Sequence, residues 1–115
     1  MTPNEYQMMA LKTETSMLGN FSEDIGRLLQ GLMGLNGEAG EAIDILKKHL
    51  YQGHWLDREH LALELGDVAW YLAVSAAALG YSLEDILLKN LEKRKKRFPE
   101  GFDVDKSVHR ASTDV

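Results

Sequence analysis

The apolar residues of the segment 28–50 recur at steps of three and four residues, which is the spacing of one face of an α-helix. They are Leu28, Leu32, Leu35, Ala39, Ala42, Leu46 and Leu50. A second stripe with the same spacing consists of Leu61, Leu65, Val68, Leu72, Ala76 and Leu79. Both prolines, Pro3 and Pro99, lie near the ends of the chain, and nothing between them alternates as a half-buried strand does. The sequence therefore predicts an all-α bundle of four to five helices.

Residues that favour helix ends indicate where the helices of this bundle begin and end. Thr2, Asp57 and Ser82 are side chains typical of an N-cap, and Gly80 is typical of the position that follows a helix. Together with the apolar stripes they predict four main helices, over about residues 3–16, 26–50, 57–79 and 83–97.

The composition is that of a soluble globular domain, with 44% hydrophobic and 27% charged residues in a chain of 115. We expect one domain, residues 1–102, and a polar tail, residues 103–115, which either docks as an arm or stays loose. The net charge of −5 argues against nucleic acid or an anionic membrane as a partner. No cysteine is present, and residues 1–12 do not resemble a secretory signal. A cytoplasmic protein is expected.

The third predicted helix is apolar on nearly every side from Val68 onward, so it must be covered all round. Its charge-poor run, residues 68–83, is too short and too rich in alanine for a membrane span. A single chain of this size has little material to cover such a helix, whereas a second copy covers it readily. The sequence therefore predicts protomers that oligomerise through their helices.

Two pairs of carboxylates lie inside these helical segments, Glu38 with Glu41 and Glu64 with Asp67. An i,i+3 step turns only about 60° around a helix, so the two acids of a pair share a face. Two such helices packed side by side would bring four carboxylates together, and that many negative charges need a cation. Oxygen ligands suit Mg²⁺ or Mn²⁺, and open coordination positions suit the phosphates of a substrate.

Three alternative explanations of these acids stay open. A solvated helix face usually carries a cation one turn away, but the residues four positions after the acids are Ala42, Ile45, Val68 and Tyr71. A di-iron bundle needs Glu-x-x-His on two helices, and neither pair supplies it. His60 could join the cluster, although a lone histidine is more often structural. A non-enzymatic helical adaptor whose acidic face docks a basic partner is the third alternative.

Four glycines recur every three residues in the second predicted helix: Gly31, Gly34, Gly37 and Gly40. Each costs about 1 kcal/mol relative to alanine in a helix interior. Close approach of a neighbouring backbone or of a ligand would offset this cost, and a break near Gly37 is the alternative.

The fourth predicted helix carries polar residues on the line that should face the core. Leu83 and Ile86 are followed on this line by Asn90, Lys93 and Arg97. Polar groups there are costly unless they meet partners, and an acid cluster with a bound polyphosphate would supply them. A basic helix C-terminus without further function is the alternative.

Other residues offer contacts to a nucleotide. Lys47 and Lys48 follow the first acid pair and could contact phosphate. Trp55, Trp70 and Tyr71 could stack on a base, although aromatic residues at helical spacing are more often core residues.

The segments GLNGEAGEAIDILKK, ELGDVAWYLA and NLEKRKKRFPEGF together resemble the all-α nucleoside triphosphate pyrophosphohydrolases, specifically the small MazG-like type. The resemblance covers roughly Leu28 to Phe102. It implies that four acids hold Mg²⁺, namely Glu38, Glu41, Glu64 and Asp67. It further implies that a metal-activated water cleaves a nucleoside triphosphate into a nucleoside monophosphate and pyrophosphate.

The same resemblance implies homodimers or homotetramers of helical protomers. It also implies that Asn90, Lys93 and Arg97 contact the phosphate or sugar of the substrate. Either Lys47 or Lys48 would be the matching basic residue after the first acid pair.

Overall fold

The computed structural model describes residues 1–15, 23–111 and 113–115. It confirms the all-α fold, because these residues contain no β-strand and form five helices. The helices are α1 (Pro3–Leu11), α2 (Glu23–Tyr51), α3 (Arg58–Ala78), α4 (Leu83–Arg97) and α5 (Val104–Val108).

Side chains that the sequence singles out set the ends of α1 and α3. Thr2 Oγ1 and Asp57 Oδ1 each accept a hydrogen bond from the backbone N–H three residues on, at 3.1 and 3.0 Å. After α3, Gly80 has a φ of 83°, and the N–H of Tyr81 donates to the carbonyl of Ala76 at 2.9 Å. This is a Schellman motif, in which glycine adopts the left-handed conformation without strain. The predicted caps at these positions are confirmed.

The first helix is shorter than the sequence predicts, because it ends at Leu11 and not near Ser16. The backbone N–H and the hydroxyl of Thr13 both donate to the carbonyl three residues earlier, at 3.1 and 3.0 Å, and so close a turn. The carboxylate of Glu14 then accepts two hydrogen bonds from Arg27 of α2, at 2.7 and 3.0 Å. Ser16 itself lies outside the described residues.

The second helix begins three residues before the predicted start at Gly26. Glu23 and Asp24 lie in its first turn, where negative charge complements the helix dipole. Gly26 is buried inside the helix. Because α2 continues without interruption through Gly37, the alternative of a break there is wrong.

The described residues form two compact units, Met1–Leu83 and Glu84–Val115. In the first unit α3 packs against both α2 and α1. The core consists of Ala10, Ala73 and Leu83, against which Tyr6, Trp70 and Leu72 pack. The predicted domain of residues 1–102 with a tail of residues 103–115 stays a prediction.

A buried glutamine ties α1 to the rest of the first unit. Gln7 Nε2 donates to the carbonyl oxygens of Ala73 and Tyr81, at 3.2 and 3.1 Å. Gln7 Oε1 accepts a hydrogen bond from the N–H of Leu83 at 3.0 Å. A buried polar group left without such partners costs about 1–3 kcal/mol. Gln7 therefore fixes α1 against the C-terminal end of α3 and the turn that follows it.

Two of the four glycines of α2 lie where α2 meets α3. A Cβ at Gly31 would overlap the hydroxyl of Ser75, and a Cβ at Gly34 would overlap the ring of Tyr71. The sequence predicts the approach of a backbone or a ligand, whereas at these two positions it is side chains of α3 that come closest. By contrast, a Cβ at Gly37 or Gly40 would meet no atom of the described chain within 4 Å.

Much apolar surface of the first unit is exposed. On α2 and α3 the exposed large hydrophobic side chains are Ile25, Leu29, Leu32, Met33, Ile43, Leu50, Tyr51, Leu63 and Leu65. The buried hydrophobic residues in the described ranges are Ala10, Ala73, Val74, Ala76 and Leu83. One helix of the described chain, α3, has the length and composition of a membrane span, a test that core helices of soluble proteins also pass.

The second unit contains α5, the C-terminal segment and α4 from Glu84 onward. Arg97 Nε and Nη2 donate to the two carboxylate oxygens of Asp114, each at 2.6 Å. The side chains of this pair are only 14% and 18% exposed. Phe98 packs against Phe102, with ring centroids 5.1 Å apart. The end of the polar tail therefore docks on α4 within this unit.

We expect alanine at Gly34 and at Gly37 to change stability in opposite directions. At Gly34 the new methyl overlaps Tyr71, and overpacking costs about 1–3 kcal/mol. At Gly37 the methyl enters open space, so helix propensity stabilises the protein by up to about 1 kcal/mol. Urea denaturation followed by circular dichroism measures both free energies of unfolding. Equal changes in the two variants would show that α2 and α3 do not approach at Gly34.

Candidate metal centre and substrate cleft

Glu38, Glu41 and Glu64 converge where α2 passes α3. One carboxylate oxygen from each residue lies within 4.8 Å of the other two. Glu38 and Glu41 lie on one face of α2 because they are three residues apart, and Glu64 comes from α3. The structure thus brings together three of the four carboxylates that the sequence singles out.

Asp67, the fourth carboxylate, is exposed on α3 and lies outside this 4.8 Å group. It follows Glu64 by three residues and therefore lies on the same side of the helix. Its negative charge contributes to raising the pKa of Glu38, so it acts on the same cluster electrostatically. Its role as a metal ligand stays a prediction.

Two oxygen atoms of the cluster, Glu38 Oε2 and Glu64 Oε2, are buried, and the described residues offer them no donor unless one carboxyl is protonated. Buried carboxylate oxygens are costly without a proton or a cation. The hydrogen bond between the two carboxyls raises the pKa of Glu38 to about 7, and burial and the charges of Glu41 and Asp67 act in the same direction. Below about pH 7 the two carboxyls of the metal-free protein therefore share a proton.

The pKa of Glu64 shifts the opposite way. The hydrogen bond between Glu64 and Glu38 is the main cause of the lowered pKa, and hydrogen bonding with Glu41 and with His60 acts in the same direction. His60 Nε2 lies 3.2 Å from Glu64 Oε1. The side chain of Glu64 is 12% exposed and that of His60 is 55% exposed. His60 therefore lies at the solvent edge of the cluster.

A cleft of about 550 Å³ opens beside these acids. Sites for small ligands are typically about 300–1,000 Å³ in volume. Glu41, Glu64 and His60 line the cleft, and so do Gly37 and Gly40. The two glycines that have no close neighbour therefore leave open space next to the carboxylates.

Asp44, which is not among the residues singled out from the sequence, also lines the cleft. Hydrogen bonds from Lys47 and Lys48 lower the pKa of Asp44, and each ammonium nitrogen lies 3.0 Å from one of its oxygens. Asp44 continues the three-residue spacing of Glu38 and Glu41, which is the signal that could have identified it. Of the two lysines predicted to contact phosphate, Lys48 lines the cleft.

The aromatic residues that could stack on a base have different surroundings. Tyr71 packs on α2 at Gly34 and meets Trp70 edge-on, with ring centroids 4.9 Å apart. Trp70 Nε1 donates to Thr13 Oγ1 at 2.9 Å. Trp55 is 89% exposed. Contact of Tyr71 with a substrate stays a prediction.

The residues predicted on α4 belong to the second unit, whereas the carboxylates belong to the first. Asn90 and Lys93 are exposed. Arg97 is held in its ion pair with Asp114. Contact of these residues with substrate stays a prediction.

The donor set fits a hard divalent cation. Oxygens that bind one octahedral ion at about 2.1 Å are at most about 4.2 Å apart. The three carboxylates, with oxygens within 4.8 Å of one another, therefore need to move by only a few tenths of an ångström to share an ion. Two of the three residues have a buried oxygen that needs a positive partner. The nearby histidine, His60, hydrogen bonds to Glu64 one turn away and does not form a Glu-x-x-His motif. Magnesium or manganese therefore fits this site better than a di-iron centre.

Comparison with known proteins agrees with this geometry. Residues 28–102 match the MazG nucleotide pyrophosphohydrolase domain. "Gene 37 protein" of Mycobacterium phage L5 is 35% identical over 100 residues, which are 84% of this chain and 88% of the phage protein. The name of that relative describes no activity. No solved structure matches the chain.

The helical fold and the carboxylate cluster define an all-α protein whose acidic residues could hold a divalent metal. Since the family match covers more than half of the chain, the protein belongs to the MazG nucleotide pyrophosphohydrolase family. The match includes the parts of α2 and α3 that carry the cluster. The resemblance identified from the sequence is confirmed, and the family points to a nucleotide as the substrate.

The proton on Glu38 should make the stability of the metal-free protein depend on pH. The pKa of Glu38 in the folded state, about 7, is higher than that of an ordinary glutamate. The stabilisation is therefore complete in acid and is lost as the pH rises through 7. We expect the melting temperature in EDTA to fall as the pH rises from about 5 to about 7 and to level off above that. Glu38→Gln keeps a neutral donor to Glu64 and should remove most of this fall.

Glu59→Gln is the matched control, because Glu59 is an exposed carboxylate in the first turn of α3, outside the cluster. It should retain the pH dependence of the wild type. The lowered pKa of Glu64 affects stability only below the usual pKa of a glutamate, where stability is lost as the pH falls. It therefore does not change the pH dependence that Glu38 causes. Identical profiles for wild type and Glu38→Gln would contradict the shared proton.

Proposed function

We propose that this protein is a Mg²⁺-dependent nucleoside triphosphate pyrophosphohydrolase, with Mn²⁺ able to replace Mg²⁺. It hydrolyses ribo- or deoxynucleoside triphosphates between the α- and β-phosphates and releases a nucleoside monophosphate and pyrophosphate. The observation that carries the proposal is the convergence of Glu38, Glu41 and Glu64 beside a cleft of small-molecule size. Membership of the MazG family supports it.

The carboxylates of Glu38, Glu41, Glu64 and Asp67 would hold the metal. When bound, the ion neutralises phosphoryl oxygens and activates a water molecule for attack. Glu38 must lose its proton before it can act as a ligand, since its pKa is about 7 without metal. Metal affinity should therefore increase with pH up to about 7 and level off above it.

Neighbouring residues would prepare the cleft for a nucleotide. His60 hydrogen bonds to Glu64 and so holds that carboxylate in place. Asp44 holds Lys48 at the wall of the cleft, where an ammonium group suits a phosphate oxygen. The open space left by Gly37 and Gly40 lets a phosphate chain approach the α2 backbone closely.

Further substrate contacts are proposed for residues at other positions. Lys47, Tyr71, Asn90, Lys93 and Arg97 would contact the phosphates, sugar or base. We place this activity in the cytoplasm, with free nucleotides as the substrates and neither nucleic acid nor membrane as a partner.

The activity test is incubation with a panel of nucleoside triphosphates and Mg²⁺, followed by separation of the products. We expect equal amounts of monophosphate and pyrophosphate. Glu41→Gln and Asp67→Asn should each lower kcat/KM by about a thousandfold or more, because the charge that holds the ion is reduced. Glu59→Gln, with the same change of charge on α3 outside the cluster, should retain activity.

Three outcomes would contradict this assignment. Release of orthophosphate in place of pyrophosphate would reject cleavage between the α- and β-phosphates. Full activity in both Glu41→Gln and Asp67→Asn would exclude these residues from catalysis. Absence of both hydrolysis and metal-dependent heat in calorimetry would favour the adaptor alternative, in which the acidic face docks a basic partner.

We also propose that the protein is a homodimer or homotetramer. Its buried hydrophobic residues in the described ranges are mostly alanines and valine, whereas leucine, isoleucine and methionine side chains of α2 and α3 are exposed. Contiguous apolar surface on a small protein usually marks a contact with another chain. A second copy supplies matching apolar faces of its own α2 and α3.

Light scattering coupled to size-exclusion chromatography tests the assembly. We expect a mass two or four times the 12.9 kDa of one chain at micromolar concentration. Leu32→Lys with Leu63→Lys should lower the mass to that of a monomer, because a charge on an apolar interface is not solvated. A wild-type mass of one chain throughout the concentration range would contradict the proposal.

A further inference from the structure

A second cleft, of about 560 Å³, lies within the C-terminal unit between α4 and the segment after it. Six cationic side chains line it: Lys89, Lys93, Lys96, Arg97, Lys106 and Arg110. Its acidic lining residues are Glu92 and Asp114. This excess of positive charge is local, since the whole chain has a net charge of −5.

The C-terminal segment forms one wall of this cleft because Asp114 anchors it to α4. The carboxylate of Asp114 accepts from Nε and Nη2 of Arg97, at 2.6 Å each. This ion pair neutralises one acid and one cation, and it is the main cause of the lowered pKa of Asp114. The charges of Arg110 and Lys93 lower that pKa further, and Glu92 is the other acidic residue that lines the cleft.

Positive charges gathered in a concave surface attract anions more strongly than the same charges on a flat one. The described lining contains no phenylalanine, tyrosine or tryptophan. Proteins that bind single-stranded nucleic acid usually stack bases on such side chains. The lining therefore suits the phosphate groups of a small ligand better than a base or a nucleic acid strand.

We infer that this cleft binds a polyphosphate anion and that the C-terminal segment contributes Lys106 and Arg110 to the site. Both residues lie beyond residue 102, where the MazG match ends. Lys93 and Arg97 are shared with the substrate contacts of the proposed function, so the inference deepens that proposal. The ligand is a chain of phosphates, either as inorganic polyphosphate or as the phosphate chain of a nucleotide.

The test is calorimetric titration of the full-length protein with inorganic tripolyphosphate in EDTA. Without a divalent metal the acids of the first unit repel the anion, so binding reports the cationic cleft. We expect one anion per chain. Lys106→Glu with Arg110→Glu should weaken binding by about tenfold or more, because two attractions become repulsions.

The matched control is Lys12→Glu with Lys95→Glu, which changes the net charge equally at exposed positions that do not line the cleft. It should weaken binding by less than about threefold, through long-range charge alone. Circular dichroism checks that both double variants keep the helical content of the wild type. Equal weakening in the two variants, or no binding by the wild type, would overturn the inference.

Two further titrations distinguish inorganic polyphosphate from a nucleotide as the ligand, and a small anion from a nucleic acid strand. Titration with a nucleoside triphosphate in EDTA should give an affinity close to that of tripolyphosphate if the phosphate chain alone is recognised. A single-stranded oligonucleotide that binds more tightly and displaces tripolyphosphate would overturn the small-anion assignment. Since no step of this test needs hydrolysis or Mg²⁺, its failure is distinguishable from failure of the proposed pyrophosphohydrolase activity.

Discussion

Repulsion among Glu38, Glu41 and Glu64 is the constraint on which the rest of this structure depends. Three carboxylates within 4.8 Å are stable only if a proton or a cation shares the space. Contacts between α2 and α3 hold them there, since Gly31 and Gly34 admit side chains of α3 that a Cβ would exclude. Helix packing therefore forces the acids together, and the buried oxygens of Glu38 and Glu64 keep the cluster receptive to a metal ion.

The glycines of α2 share one spacing in the sequence but have two roles, in helix packing and in the open space of the cleft. Gly31 and Gly34 face α3 and permit close helix packing, whereas Gly37 and Gly40 face the cleft beside the acids. Each three-residue step turns by about 60° around the helix, so the line of glycines passes from the side of α2 that faces α3 to the side that faces the cleft. The segment that fixes the carboxylates thus also leaves room for what they bind.

Apolar spacing and capping residues predict α2, α3 and α4 well, because these signals are local and the periodicity is long. The same reasoning overextends α1, whose end depends on Thr13 and on the contact of Glu14 with Arg27. For the site, the i,i+3 spacing predicts which acids share a face. The spacing does not distinguish Glu64, which joins the cluster, from Asp67, which is exposed. This difference depends on the angle at which α2 crosses α3, and that angle cannot be predicted from the sequence of either helix alone. The pairing of Arg97 with Asp114 likewise depends on how the C-terminal segment returns to α4.

Anomalous diffraction from crystals grown with Mn²⁺ tests the metal site most directly, because it reports the position of the ion itself. We expect a peak bonded to carboxylate oxygens of Glu38, Glu41 and Glu64, at about 2.2 Å from each. Crystals of Glu38→Gln should show that peak weakened or absent. A fully occupied manganese ion elsewhere on the protein, with these three carboxylates free of metal, would contradict the account.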